Sequence, residues 1–271
     1  MIISTRYFKD GLRKAVTMSY DDGPYEDYRL VEIFNKYGLK GSFFLNTNYL
    51  DSDEARQPEK VNIKDVARLY KGHEIAVHTV NHCDLRSVTD NRFREEIIEN
   101  RRVLENIAGY PVRGMSYPYG YYNDKVVDLL GYLGIEYSRT TQSHKSFACP
   151  DKFLTWHPTC HHNDALERIP AFESTRWNSD MVLFYVWGHS YEFERNGDKW
   201  DVIEEFAKKI SGRDDTWYAT NIEIMDYITA VRNLKFSFDS TMVYNPSCLD
   251  VWIDVDRQPV KINAGMQTDL K

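Results

Sequence analysis

Apolar and polar positions alternate in blocks along this chain, and the blocks follow two different periods. Short apolar runs occur at Ala15 to Ser19, Gly41 to Leu45, Glu74 to Val77, Val112 to Tyr117, Ile135 to Arg139, Met181 to Val186 and Trp217 to Thr220, each of a length and composition that predicts a buried strand. Between most of them, apolar residues recur at helical spacing: Leu30, Ile33, Phe34 and Tyr37 before Gly38, and Phe93, Ile97, Leu104 and Ile107 before Gly109. A glycine just past the last periodic residue is a common left-handed helix stop. Further helices are predicted over Asn123 to Tyr132, with Asn123 as N-cap, over Lys199 to Ile210, and over Asn221 to Arg232.

Strand-helix alternation predicts an α/β fold with a parallel sheet, and seven strands predict an incomplete or distorted parallel (β/α) barrel over residues 1–234. From Lys235 onward the pattern changes to the short runs "KFSFDS", "MVYNPS", "DVWIDV" and "PVKINAG" with turn residues between them. This predicts a small C-terminal β extension, residues 235–271, packed on the barrel, because so short a segment buries little apolar surface alone.

Polar residues gather just past the ends of the predicted strands. Asp21 and Asp22 follow the first, His78 and His82 the third, Tyr119 the fourth and His189 the sixth. That C-terminal edge is where parallel α/β folds build active sites. Taken singly, each has a plain structural reading. An acidic pair before Gly23-Pro24 suits an ordinary turn, and the histidines of "HTVNH" clamp a metal only if both rings lie on one side.

Together, two histidines and a carboxylate form the open ligand set of a catalytic zinc site, although iron(II) oxygenases use the same set. The second carboxylate favours hydrolysis. With Asp22 on the cation, Asp21 stands at the open position, where it can take a proton from water as that water attacks a carbonyl.

Composition narrows the class. The chain has 271 residues, is 42% hydrophobic, and carries a formal net charge of −7 with both signs interspersed. That balance gives no basis for binding nucleic acid or an anionic membrane surface. No stretch approaches the roughly 20 apolar residues of a membrane span. Arg6, Lys9, Asp10, Arg13 and Lys14 interrupt the first residues, so no signal peptide is read there and a cytoplasmic location is expected. Cys83, Cys149, Cys160 and Cys248 form no C-x-x-C pair and are expected to be reduced.

The stretches "TMSYDDGP", "HTVNH", "SYPYG" and "WGHS", in this order, resemble the motifs of the polysaccharide deacetylases, carbohydrate esterase family four. The resemblance covers roughly residues 14–232. It implies a distorted seven-stranded barrel that hydrolyses N-acetyl or O-acetyl groups of an oligo- or polysaccharide, with one divalent metal, most often zinc. It further implies Asp21 as catalytic base, Asp22, His78 and His82 as metal ligands, the Tyr119 backbone N–H as oxyanion donor, and His189 as acid on the leaving group.

The chain departs from that family in three places. The arginine normally found two residues before the motif proline is Ser116 here, with Arg113 the nearest arginine. The acidic fourth motif has no clean match, Trp156 lying in about the right part of the chain. Trp187 replaces a leucine two residues before His189.

Trp156, His161, His162, Trp187 and Tyr191 are candidate substrate contacts, with His157, Glu192, Trp217 and Asn221 as further cleft residues. Three rivals remain: a phosphoesterase, which often needs a second metal, a carbohydrate-binding protein on an inactive deacetylase scaffold, and a chain whose working part is the extension from Lys235 to Lys271 as a sugar-binding or dimerising module.

Overall fold

The computed structural model describes residues 1–52, 59–175, 180–195, 197 and 199–270. Lys271, the last residue of the expected extension, lies outside them. After a short strand β1 (Ile3–Ser4), the chain builds parallel strands β2 (Lys14–Asp21), β3 (Gly41–Leu45), β4 (Glu74–Val77), β5 (Gly114–Ser116), β6 (Tyr137–Arg139), β7 (Cys160–His161), β8 (Val182–Gly188) and β9 (Thr216–Tyr218). Their order is β6-β5-β4-β3-β2-β8-β7. The sheet curls until its two edges meet. Trp156 N donates to Ser138 O at 2.9 Å, Thr140 N to Trp156 O at 2.9 Å, and Thr159 N to Tyr185 O at 2.8 Å. The segment 156–161 therefore leans on β6 at its start and on β8 at its end, closing a distorted barrel.

Here the structure differs in detail from the sequence pattern. The seventh predicted strand is present as β9, but it pairs only with Lys14–Val16 at the start of β2. The strand that closes the barrel, β7, has two residues and is too short to show a period.

The helices are α1 (Asp27–Tyr37), α2 (Val66–Leu69), α3 (Asp90–Ala108), α4 (Asp124–Tyr132), α5 (His162–Ser174), α6 (Glu192–Arg195), α7 (Trp200–Ile210) and α8 (Asn221–Arg232). Gly38 and Gly109 end α1 and α3 in the left-handed region, and the Asn123 side chain caps α4 by accepting from Val126 N. Helix α5 was not legible, since Pro170 stands inside it and its first turn is "HHND".

The C-terminal segment forms two small antiparallel sheets. One contains β10 (Lys235–Phe236), β11 (Met242–Tyr244) and β14 (Gln267–Asp269); the other joins β12 (Val251–Val255) and β13 (Gln258–Ile262) to β1. Val243, Val251, Ile253, Ile262 and Leu270 are buried in one cluster with Phe8, Ile224, Tyr227, Ile228 and Val231. Among the described residues no helix is long and apolar enough to cross a membrane.

Candidate active site

Parallel register brings six strand ends to one place. Asp21 ends β2, His78 follows β4, Ser116 ends β5, Arg139 ends β6, His161 ends β7 and His189 follows β8. Residues far apart in sequence converge because every strand of the closed sheet points the same way.

Asp22 Oδ1 lies 3.5 Å from His78 Nε2 and 3.6 Å from His82 Nε2. These ligand atoms lie within 4.8 Å of one another, and tetrahedral zinc with bonds near 2.0–2.1 Å separates its ligands by about 3.3–3.5 Å. The donor set therefore fits a divalent cation. Protonation fits as well: His78 Nδ1 lies 2.9 Å from the Ser116 carbonyl, to which it donates. Its Nε2 lone pair is thereby left facing Asp22. Burial lowers the His78 pKa to about 4, against the opposing pull of Asp21 and Asp22, so the ring is neutral near pH 7 and can act as a ligand.

The loop carrying these histidines is held from helix α3. Asn100 Nδ2 donates to Leu45 O at 3.0 Å and Thr79 O at 2.9 Å, and Asn100 Oδ1 accepts from His78 N. Glu96 takes Asn81 N and Nδ2 at 2.8 and 2.7 Å. These bonds hold the loop that contains Thr79 and His82, two residues in an unfavourable backbone conformation. Asp22, Thr79, His82 and Tyr119 are four of the nine non-glycine residues with positive φ among the described residues, a conformation that costs roughly 1–3 kcal/mol each where nothing compensates.

Asp21 is 3% exposed and is gripped from both sides. Arg139 pairs with its Oδ2, and Ser116 Oγ donates to its Oδ1 at 3.1 Å. Burial would raise the Asp21 carboxyl, but Arg139, with His78 and His189, outweighs it and holds the pKa down at about 2.

The missing arginine of the sequence motif is thereby explained. Ser116 and Arg139 are register partners on β5 and β6, so the guanidinium arrives from the neighbouring strand while Ser116 joins Asp21 to His78, its Oγ being 2.7 Å from His78 Nδ1. Arg113 points elsewhere, to Glu136 and Asp226. No motif led to Arg139; its only sequence signal was a charge ending an apolar run.

His189 Nε2 lies 3.9 Å from Asp21 Oδ2. Burial would lower this imidazole, but Glu192, Asp21 and Asp22 together raise it. Tyr191 stacks on it at 5.0 Å between centroids. Trp187 carries the Arg139 guanidinium over its ring at 4.6 Å and lies 4.9 Å from His161. Tyr119 sits in the turn after Ser116, its exposed ring 4.4 Å from that of His82. His161 and His162 both face Glu192, the first partly exposed and the second buried. His157 turns to Thr140, 2.6 Å away.

Three residues expected at the cleft are displaced by packing. Trp156, expected against substrate, is 1% exposed and packed between Tyr137, Phe153 and Tyr185. Asn221 is buried and bonded to Thr17 and Tyr185. Trp217 pairs with Ala15 at the opposite end of β2 from Asp21, against Phe8 and Tyr227.

One mouth of the parallel barrel thus carries a buried, arginine-held aspartate beside a His-His-Asp cluster whose donor atoms could hold a cation. Residues 9–138, just under half of the chain, match the polysaccharide deacetylase family model. The chain is similar to a Bacillus cereus peptidoglycan-N-acetylglucosamine deacetylase, 30% identical over 110 residues, which are 40% of this chain and 37% of that protein. An Arthroderma benhamiae chitin deacetylase is 34% identical over 41% of this chain and 29% of its own length. The chain thus spans less than half the length of these relatives. The fold is shared with the Xyl-CE4 domain of a multidomain xylanase from the hindgut metagenome of Trinervitermes trinervoides, TM-score 0.52 at 17% identity, covering 80% of this chain and 92% of that one.

Proposed function

We propose that this chain is a hydrolase that removes acetyl groups from an acetylated oligo- or polysaccharide. The observation that carries the reading is Asp21, kept ionised between Arg139 and Ser116 beside the Asp22, His78 and His82 cluster. A divalent cation held by those three, most often zinc in such ligand sets, would polarise the acetyl carbonyl and lower the pKa of a nearby water.

The chain's own groups then divide the proton work. Asp21 accepts the proton of the attacking water, with Arg139 preventing the carboxylate from rotating away. The Tyr119 N–H donates to the oxygen that gains charge. His189 gives its proton to the departing nitrogen or oxygen. Trp187 and Tyr191 flank that histidine and are read as walls of the sugar site. Residues 235–270 are read as part of the same folding unit, since their apolar side chains share a core with α8; a soluble, fully active truncation after Leu234 would refute this.

The test is acetate release by metal-stripped protein reloaded with zinc, on acetylated xylan and glucomannan oligosaccharides beside chitin and peptidoglycan fragments. Zinc-dependent release, abolished in Asp21→Asn, is expected, and the responding substrate distinguishes ester from amide. Stoichiometric zinc with no release from any of them would overturn the reading in favour of a binding protein on this scaffold.

A further inference from the structure

Four titratable side chains meet at a second point beside the metal cluster. Glu192, at the start of α6, places Oε2 3.0 Å from His161 Nε2 and 3.1 Å from His162 Nε2. Its Oε1 is 3.4 Å from His189 Nδ1. One carboxylate thus joins the end of β7, the start of α5 and the loop after β8.

The contact is built into the packing. His162 is 4% exposed, stacks on Tyr20 at 5.8 Å and 15°, and presses on Gly188, where a Cβ would stand 2.0 Å from His162 Nδ1. Any other residue at 188 would expel the ring.

Two histidines and a glutamate could equally be metal ligands, and their donor atoms lie within 4.8 Å of one another. The second ring nitrogen of His161 argues otherwise. His161 caps α5, its Nδ1 accepting the Asn163 N–H at 3.4 Å. A neutral ring that accepts at Nδ1 carries its proton on Nε2, the atom facing Glu192, and a protonated nitrogen cannot ligate a cation.

We propose that Glu192 is a positioning residue for His189, holding the His189 Nδ1 proton so that Nε2 faces the reacting atoms, and that His161 and His162 act by fixing Glu192. The inference rests on the hydrolase reading above, in which His189 is the acid. The Glu192 charge favours the imidazolium that must form before the proton is given away. Burial would raise the Glu192 carboxyl, but the three histidines hold it far below its ordinary range. The groups facing His189 are Asp21 and Asp22 from the end of β2, Glu192 from α6, and the Tyr191 ring. At 3.4 Å the His189 contact is longer than a formed hydrogen bond, as catalytic pairs commonly are without substrate.

The experiment combines side-chain 15N NMR of His189, zinc stoichiometry and kinetics in the full chain, Glu192→Gln and His161→Gln. In the full chain, His189 is expected to carry a proton at Nδ1 across the titration, with one zinc per chain. Glu192→Gln should release that tautomer preference and lower kcat about 10- to 100-fold with KM within about twofold. His161→Gln should move both readouts the same way by less, with zinc content unchanged. His189 shifts that do not respond to Glu192→Gln would overturn the proposal. So would a second equivalent of zinc that disappears in His161→Gln, which would make the cluster a cation site. The tautomer is read without turnover, so an inactive protein whose His189 follows Glu192 would sink the hydrolase reading and leave the positioning intact.

Discussion

Two clusters at the mouth of this barrel have nearly the same composition and opposite chemistry. Asp22, His78 and His82 form one; Glu192, His161 and His162 form the other. In the first, His78 donates from Nδ1 to a backbone carbonyl, which empties Nε2 for a cation. In the second, His161 accepts at Nδ1 from a backbone amide, which fills Nε2 with a proton. The spacing differs accordingly, 3.5 and 3.6 Å between nitrogen and carboxylate oxygen in the first and 3.0 and 3.1 Å in the second. Ligand types nominate a metal site, and the partner of the far ring nitrogen decides it.

The sharpest way to break the comparison is Asp22→Asn. It should abolish zinc retention after dialysis and reduce acetate release by about 10³-fold, corresponding to several kcal/mol of lost transition-state stabilisation. Zinc that survives this change, measured by elemental analysis, would show that the cation sits elsewhere.

Arg139→Met should be next in size. It leaves Asp21 buried without its cation partner, so kcat is expected to fall about 10²-fold or more and the folded state to weaken. The double variant Ser116→Arg with Arg139→Ser returns a guanidinium to the same register pair from the other strand. Partial recovery of kcat over Arg139→Met is expected; none would mean that the strand of origin matters as much as the charge.

A smaller effect reaches the second cluster through its loop. Ser190 Oγ donates to Asp27 Oδ1 at 2.5 Å and Tyr70 OH to Asp27 Oδ2 at 2.7 Å. Burial, only partly offset by those bonds, raises Asp27 from 3.8 to about 7. Because the folded value lies above the unfolded one, the native state binds this proton more tightly. Its stabilising contribution is full below pH 3.8 and is lost as pH rises through about 7. That decline should appear as the difference between the full chain and Asp27→Asn in urea unfolding from about pH 4 to 8, because His73, His78 and His162, lowered by burial from 6.5 to about 4, add the opposite slope over the lower part of that range. Glu74, raised from 4.5 to about 7 by burial, leaves a residual slope of the same sign. A full, unchanged slope in Asp27→Asn would place the titration elsewhere.

The smallest expected change is Tyr119→Phe. If the backbone N–H is the working group, kcat should stay within about twofold, since the hydroxyl takes no part. A large drop in steady-state rate would move the role to the phenol.

Much of the first cluster was readable in the sequence because its residues sit in short local patterns. Asp21-Asp22 before Gly23-Pro24 and the two histidines of "HTVNH" end apolar runs, and parallel strands carry such ends to one edge. The second cluster was not readable in the same way. His161 and His162 were visible as a pair, and Glu192 as a neighbour of His189, but their meeting depends on a two-residue strand without a period. Arg139 was hidden for a related reason: it looked like the charged end of a strand, and only register against Ser116 aims it at Asp21. Trp156 erred in the other direction, since an aromatic near a motif reads the same whether it faces sugar or core.

The sequence by itself determined the strand-helix alternation, the edge on which the polar residues gather and the members of the Asp22, His78 and His82 cluster, because all three are set by local period and by residues adjacent along the chain. Tertiary structure alone decided which strand closes the barrel, which arginine holds Asp21, and which ring nitrogen of His78 and of His161 meets the backbone. Those depend on hydrogen bonds between strands far apart in sequence, where a shift of one residue in register would turn every side chain to the other face.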